Sequence, residues 1–218
     1  MRILLLFSGG LDSMTLAHMA HNEGHDLGLL RVNYFHPANN KEAGAVIAWK
    51  ERNRERWCDA WEVTLPIWSL ELDAGIGVSG PRIVPSRNAA FVAMAINLAA
   101  AHGFEEVWIG ATKADRHYPD CTPQWIAAQS SMAAAFGVRV VAPLIDHDRA
   151  EVLDLARELH VDLALAWSCY QPDNGRPCGA CDSCLQGSCC LDAENHRTDP
   201  STGEVDCVSC GALLSVPL

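Results

Sequence analysis

The residues FSGGLDS, Phe7 to Ser13, constrain what this chain can fold into more than any other stretch. Before them, RILLLF (2–7) is an uninterrupted apolar run of strand length. After them, an apolar pattern restarts at Leu11 with helical spacing. A buried strand that stops at two glycines and re-enters as a helix opens an α/β unit. The turn itself has two readings. Ser, Gly and Asp are ordinary turn formers, and a capped strand-to-helix turn needs nothing more. Alternatively, the loop is an anion cradle: amides at a helix start attract negative charge, Gly9 and Gly10 let an oxygen approach the backbone, and Ser8 and Ser13 add hydroxyls. The loop fits neither GxxxxGK[ST] nor GxGxxG, and no Lys follows it, which suits pyrophosphate better than a transferred γ-phosphate. Asp12 would repel a phosphate unless it caps the helix or holds Mg²⁺.

The pattern continues as alternating elements. LGLLRVNY (27–34) and AWEVTLPI (60–67) read as strands on either side of a helix over 41–57. A loop with Gly75, Gly77, Gly80 and Pro81 follows. RNAAFVAMAINLAAAHG (87–103) reads as an Ala-rich helix, apolar nearly all round and so expected to be buried on more than one side, with Gly103 placed to end it. Strands over 106–110 and 138–143 bracket a helix over 122–136, and a last helix covers 149–160. This order predicts an α/β fold: an open, mostly parallel sheet with helices on both faces, right-handed crossovers and ligands at the C-terminal strand ends. Beyond Ala166 the composition turns to Cys, Gly, Asp and Pro, which divides the chain into an α/β domain (1–166) and a Cys-rich module with its tail (167–218).

Composition excludes some partners. Apolar residues are 49% of the 218, enough for a real core. Sixteen basic against 27 acidic residues give a net charge of −11, and the only lysines are Lys41, Lys50 and Lys113. No basic surface for a polyphosphate backbone is visible, so long nucleic acid is disfavoured and a small nucleotide is not. No apolar run approaches the roughly 20 residues that span a bilayer, and Ile3 to Phe7 is too short for a signal peptide. Eight of the ten cysteines fall after residue 168 in close pairs, which favours metal thiolates in a reducing cytoplasm over a secreted disulfide scaffold.

Cys169, Cys178, Cys181 and Cys184 have the spacing C-x8-C-x2-C-x2-C. Four thiolates in one compact segment satisfy a tetrahedral Zn²⁺ and leave no open position, which makes the site structural. An iron–sulfur cluster is the chemical rival. In the tail, Cys189, Cys190 and the Cys207-x2-Cys210 pair have either of two roles: a second zinc ribbon with His196 as an alternative ligand, or an incidental CxxC.

Two other stretches carry chemistry. Arg87 and Asn88 start the Ala-rich helix, where a buried Arg needs either a structural Asp or a ligand phosphate or carboxylate. Tyr118-Pro119-Asp120-Cys121 lies after a strand, on the ligand-binding edge. Asp120 can accept from the ring N–H and exocyclic amine of a guanine-like base, or simply cap the next helix. Tyr118 offers a stacking face. Cys121 reads as a packed side chain.

SGG-x-DS after a first strand closely resembles the pyrophosphatase-type loop of the ATP-dependent adenylating synthetases, the N-type family that cleaves ATP between its α and β phosphates. Together with VPSRN, YPDC and WSCY followed by CGACDSC, it resembles the 7-cyano-7-deazaguanine synthase family over residues 2 to about 186. The resemblance implies an adenine nucleotide α-hydrolase-like fold, ATP and Mg²⁺, and a structural Zn²⁺ on Cys169, Cys178, Cys181 and Cys184. It implies nucleotide contacts from Phe7, Ser8, Gly9, Gly10, Leu11, Asp12 and Ser13. It implies catalytic roles for Ser8, Asp12 and Arg87, and substrate contacts from Arg87, Asn88, Tyr118 and Asp120. The implied reaction joins ammonia to 7-carboxy-7-deazaguanine and dehydrates the amide to the nitrile, in a cytoplasmic enzyme of homodimeric type. Three stretches depart from the family: VNYFHPANNKEAG where Tyr-Gly-Gln is usual, Arg116-His117 where Ser-Gly precedes YPDC, and the loop 75–82. Competing readings are a tRNA thiolase, which the charge disfavours, and a nucleotide sensor without turnover.

Overall fold

The computed structural model describes residues 1–65, 84, 86–185, 196–198, 200, 201, 205–207 and 213–215. The expected loop 75–82 and Cys189, Cys190 and Cys210 lie outside the described residues. Five strands form the main sheet: β1 (Arg2–Leu6), β2 (Asp26–Asn33), β3 (Asp59–Thr64), β4 (Glu106–Trp108) and β5 (Arg139–Val141). Their order is β3-β2-β1-β4-β5, and every pair is parallel. The chain therefore walks outward from β1 in one direction, then returns to lay β4 on its other side.

That reversal decides which face each helix covers. Alternation along β1 sends Ile3 and Leu5 to one face and Leu4 to the other, all fully buried. The Ile3–Leu5 face, with Leu27, Leu29 and Trp108, packs under α1 (Leu11–Asn22), α2 (Asn39–Arg52) and α5 (Arg149–Glu158). The Leu4 face, with Leu30, Val107 and Val140, packs under α3 (Arg87–His102) and α4 (Pro123–Ala133). Each fully buried Leu contributes roughly 2 kcal/mol, and strands apolar on both sides require such a two-faced cover. The expected open parallel sheet with helices on both faces is what forms.

Boundaries move by one to five residues. The helix expected over 41–57 begins at Asn39 and gives way after Arg52 to a short 3-10 turn, Arg54–Arg56. The α3 helix ends at Gly103 with φ 70°, as its position implied. Its all-round burial does not occur: Val92, Ala95, Ile96 and Ala99 form one buried stripe, while Ala93, Asn97 and Ala100 are exposed. Alanine is selected there by helix propensity as much as by burial. After residue 166 come a short helix α6 (Asp182–Leu185) and a three-stranded antiparallel sheet, β6 (His196–Thr198), β7 (Val205–Cys207) and β8 (Leu213–Ser215). Cys207 is paired in register with His196.

Candidate active site

At the C-terminal edge of β1, between the β2 and β4 sides, lies a cleft of about 200 Å³. This is the switch point of the strand order, where the connections from neighbouring strands leave on opposite faces and part. Phe7, Ser8, Gly10, Asp12 and Ser13 line it from the glycine loop, and Arg87, Asn88 and Tyr118 from the far side.

The loop is held by its own hydroxyls. The Gly9 N–H donates to Ser13 Oγ at 3.2 Å, Ser13 Oγ donates to the Gly10 carbonyl at 2.9 Å, and the Gly10 N–H donates to Ser8 Oγ at 3.3 Å. No side chain caps the start of α1, and its first turn lines the cleft through Gly10, Asp12 and Ser13, which sets the positive end of the helix dipole beside it. Gly9 has φ +82°, and a Cβ there would sit 3.0 Å from the Ala45 methyl and 3.1 Å from the Glu42 carbonyl of α2. Gly9 and Leu11 are thus turned away from the cleft, Leu11 into the core.

Asp12 accepts from Arg149 Nη1 at 2.9 Å. Burial raises its carboxyl above the usual carboxylate range, Arg149 pulls it back, and the like charge of Asp115 pushes it up again. The loop without a Lys therefore has a cation, delivered by the first residue of α5. Asp115 also lines the cleft. Its Oδ2 accepts from the Thr112 amide at 2.9 Å and hydroxyl at 2.7 Å, closing a capping box.

Across the cleft, Arg87 Nη1 donates to the Tyr34 hydroxyl at 3.0 Å. Among the described residues no carboxylate pairs with this partly buried guanidinium. Tyr34 in turn stacks on His36, ring centroids 4.2 Å apart, and His36 Nε2 lies 3.1 Å from Glu42 Oε2. Asp120 does not line the cleft: its Oδ2 accepts from the Asn88 amide at 3.0 Å, fastening the start of α3 to the loop after β4. Asn88 Nδ2 donates to the Asp120 carbonyl at 3.3 Å and to Cys121 Sγ at 3.1 Å. Burial, then Asp115 and Asp120, push the Cys121 thiol up to about 12, which disfavours the thiolate.

All three tyrosines of the chain, Tyr34, Tyr118 and Tyr170, line this one cleft. Sequence reasoning selected only Tyr118. Tyr34 lay in the stretch that departs from the family, Tyr170 beside the first of the four clustered cysteines, and Asp115 and Arg149 in no motif at all. The missing Lys was the one signal that a cation had to arrive from elsewhere.

The four cysteines converge as their spacing implied. The sulfurs of Cys169, Cys178, Cys181 and Cys184 all lie within 4.8 Å of one another. A single ion at about 2.3 Å from each sulfur fits such a set, whereas a cubane spreads its thiolates over four irons. Backbone amides face the sulfurs: Cys178 N–H donates to Cys169 Sγ at 3.2 Å and Cys181 N–H to Cys178 Sγ at 3.3 Å. The Cys184 thiol and the Cys178 and Gln171 amides lower the Cys169 thiol, against burial, which raises it.

Comparison with known proteins agrees with this geometry. Residues 77–193 match the family model described as queuosine biosynthesis protein QueC. The 7-cyano-7-deazaguanine synthase of Chlorobaculum parvum is 32% identical over 215 residues, covering 85% of this chain and 89% of its own. That of Ralstonia nicotianae is 33% identical, covering 84% and 90%. Among solved structures, the U34-tRNA thiolase NcsA from Methanococcus maripaludis, with its [4Fe-4S] cluster, superposes with TM-score 0.54 at 16% identity over 89% of this chain and 65% of its own. A predicted tRNA methyltransferase subunit from Methanocaldococcus jannaschii gives 0.51 at 19% over 72% and 75%. These two share the fold alone, an adenine nucleotide α-hydrolase-like sheet. The relatives in sequence are close enough, over enough of their length, to assign the chain to the 7-cyano-7-deazaguanine synthase family of enzymes.

Proposed function

We propose that this protein makes 7-cyano-7-deazaguanine from 7-carboxy-7-deazaguanine, ammonia and two molecules of ATP, as a step of queuosine-type biosynthesis. The observation that carries the reading is the opposition across one cleft of an uncapped helix start, flanked by Ser8 and Ser13, and a partly buried Arg87 without a carboxylate partner among the described residues. The first is suited to a pyrophosphate, the second to an anionic oxygen on the reacting carbon.

In the first half, the substrate carboxylate attacks the α-phosphorus of ATP. Pyrophosphate leaves into the α1 amides, the Ser8 and Ser13 hydroxyls and Arg149, and an acyl adenylate forms. Ammonia adds to the acyl carbon, AMP departs and the amide remains. In the second half, the amide oxygen takes AMP from another ATP, and loss of AMP and a proton leaves the nitrile. AMP turns a poor leaving oxygen into a good one, and the chain supplies positioning and fixed charge. Arg87 holds the oxygen being adenylated, steadied by Tyr34. Tyr118 faces the flat deazaguanine, while Asp120 serves the substrate through Asn88, whose amide it grips. Mg²⁺ bound beside Asp12 would neutralise the pyrophosphate. One Zn²⁺ held by Cys169, Cys178, Cys181 and Cys184 would have no open position and so would serve a structural role. The reduced thiolates support a cytoplasmic location, and the family resemblance supports a homodimer.

A mass-spectrometric time course with Mg-ATP, ammonium and 7-carboxy-7-deazaguanine tests the reading. The amide should rise and fall as the nitrile accumulates, with two AMP per nitrile. ADP as the product would overturn the adenylation scheme, and an amide that never decays would overturn its second half.

A further inference from the structure

The four-cysteine centre and the phosphate loop are not neighbours in sequence, yet four consecutive residues, 167–170, belong to both. The Trp167 amide donates to the Gly9 carbonyl at 2.9 Å, so this segment is bonded directly to the loop. A Cβ placed on Gly10 would lie 3.3 Å from the Trp167 carbonyl, 3.5 Å from Ser8 Oγ and 3.7 Å from Ser168 Oγ. The Ser168 hydroxyl therefore stands with that of Ser8 over the bare backbone of Gly10. Ser168 is only partly buried and makes no hydrogen bond with the described residues. Cys169 is buried with the other sulfurs, and its carbonyl accepts from Trp167 Nε1 at 2.9 Å, which ties the segment to itself. Tyr170, next along, reaches into the cleft beside Arg87, Asp115 and Tyr118. The outer side is pinned as well: Lys41 Nζ of α2 lies 4.9 Å from the centre of the Trp167 ring.

We propose that residues 167–170 form a strap that completes the cleft: Ser168 donates to the phosphates over Gly10, Tyr170 touches the deazaguanine substrate, and the metal on Cys169 holds both in place. Ser168 and Tyr170 are the chain neighbours of Cys169 on either side, so an anchored Cys169 restricts both at once. The metal is then a positioning device for the nucleotide site, and occupancy of either site favours the other. Such coupling is reciprocal by linkage. The inference rests on the reading of the cleft as an ATP site.

The test uses the zinc-loaded full chain with Mg²⁺ and α,β-methylene-ATP as the probe. Ser168→Ala should bind the probe about tenfold more weakly by calorimetry while keeping wild-type zinc content, the loss expected for one hydrogen bond to a charged group. Tyr170→Phe should keep probe affinity within about twofold and raise KM for the deazaguanine substrate about tenfold. In the wild type, saturating probe should slow zinc transfer to a chromogenic chelator several-fold, a readout independent of turnover and of any variant's folding. Wild-type probe affinity in Ser168→Ala together with zinc release indifferent to the probe would overturn the strap and leave the ATP reading standing. A wild-type chain that fails to bind the probe at all would overturn both.

Discussion

Among the described residues Arg87 has a phenol where a partly buried guanidinium ordinarily has a carboxylate, and that difference sets what substitution there should do. Arg87→Lys keeps the charge but loses the fork that reaches Tyr34 and, in the proposed reaction, a substrate oxygen. A fall in kcat/KM of about 100-fold is expected in steady-state assays, against about tenfold for Tyr34→Phe, which leaves the guanidinium present but loose. Gly9→Ala meets a different obstacle. Its positive φ and the Ala45 and Glu42 contacts near 3 Å predict a cost of about 1–3 kcal/mol, read as a lowered Tm with weakened nucleotide binding. Cys121 offers a negative control in the cleft wall. With its thiol pushed up to about 12, it should resist brief iodoacetamide treatment at pH 7.5 while exposed Cys58 is alkylated, as peptide mapping would show.

At the scale of elements, one histidine joins three helices. His18 on α1 donates from Nδ1 to the Leu159 carbonyl just past α5, at 3.1 Å, and accepts at Nε2 from Trp49 Nε1 of α2, at 3.3 Å. Both nitrogens are used only in the neutral ring, and burial lowers its pKa below the ordinary value. A lowered folded-state pKa means the unfolded chain binds the proton more readily. The His18 contribution is therefore fully present above about pH 6.5 and is lost as pH falls from there toward the folded value. Urea melts at pH 7.5 and 5.5 should show that loss in the wild type, and a smaller one in His18→Gln. The α5 start is the second joint: Asp148 Oδ1 accepts from the Glu151 amide at 3.0 Å, and Glu151 Oε2 from the Asp148 amide at 2.7 Å. Asp148→Ala should cost about 1 kcal/mol in a denaturant melt. It should also weaken nucleotide binding, because Arg149 leaves that helix for Asp12. Elements were legible in the sequence because both faces of a parallel sheet must be apolar and loops must break at Gly, so RILLLF and SGGLDS announced themselves. Tyr34, Asp115 and Arg149 were not, since only the strand order brings positions 34, 115 and 149 to the edge that holds Asp12. Asp120 was legible as important but not in its partner, because a carboxylate near a helix start reads the same whether it holds a base or a backbone amide.

Over the whole molecule, a net charge of −11 is of the sign that repels a tRNA backbone, although the fold is shared with a tRNA thiolase. Competing tRNA at micromolar concentration and 100 mM salt should leave nitrile formation unchanged, and a gel shift should show no complex. The four-cysteine spacing was legible as a metal site from sequence alone, and the sulfurs do converge. Its closeness to the cleft was not, since no local pattern reveals that Trp167 returns to Gly9.

That return has a bearing on biogenesis. As the chain leaves the ribosome, β1 cannot gain its second neighbour until Glu106 follows, and the Gly9 carbonyl waits still longer for Trp167. The glycine turn is thus closed by a segment far downstream of it, and the four-cysteine cluster is complete only later again, at Cys184. Ribosome-bound chains stalled before Cys184 should therefore bind ATP more weakly than chains in which Cys184 has left the exit tunnel.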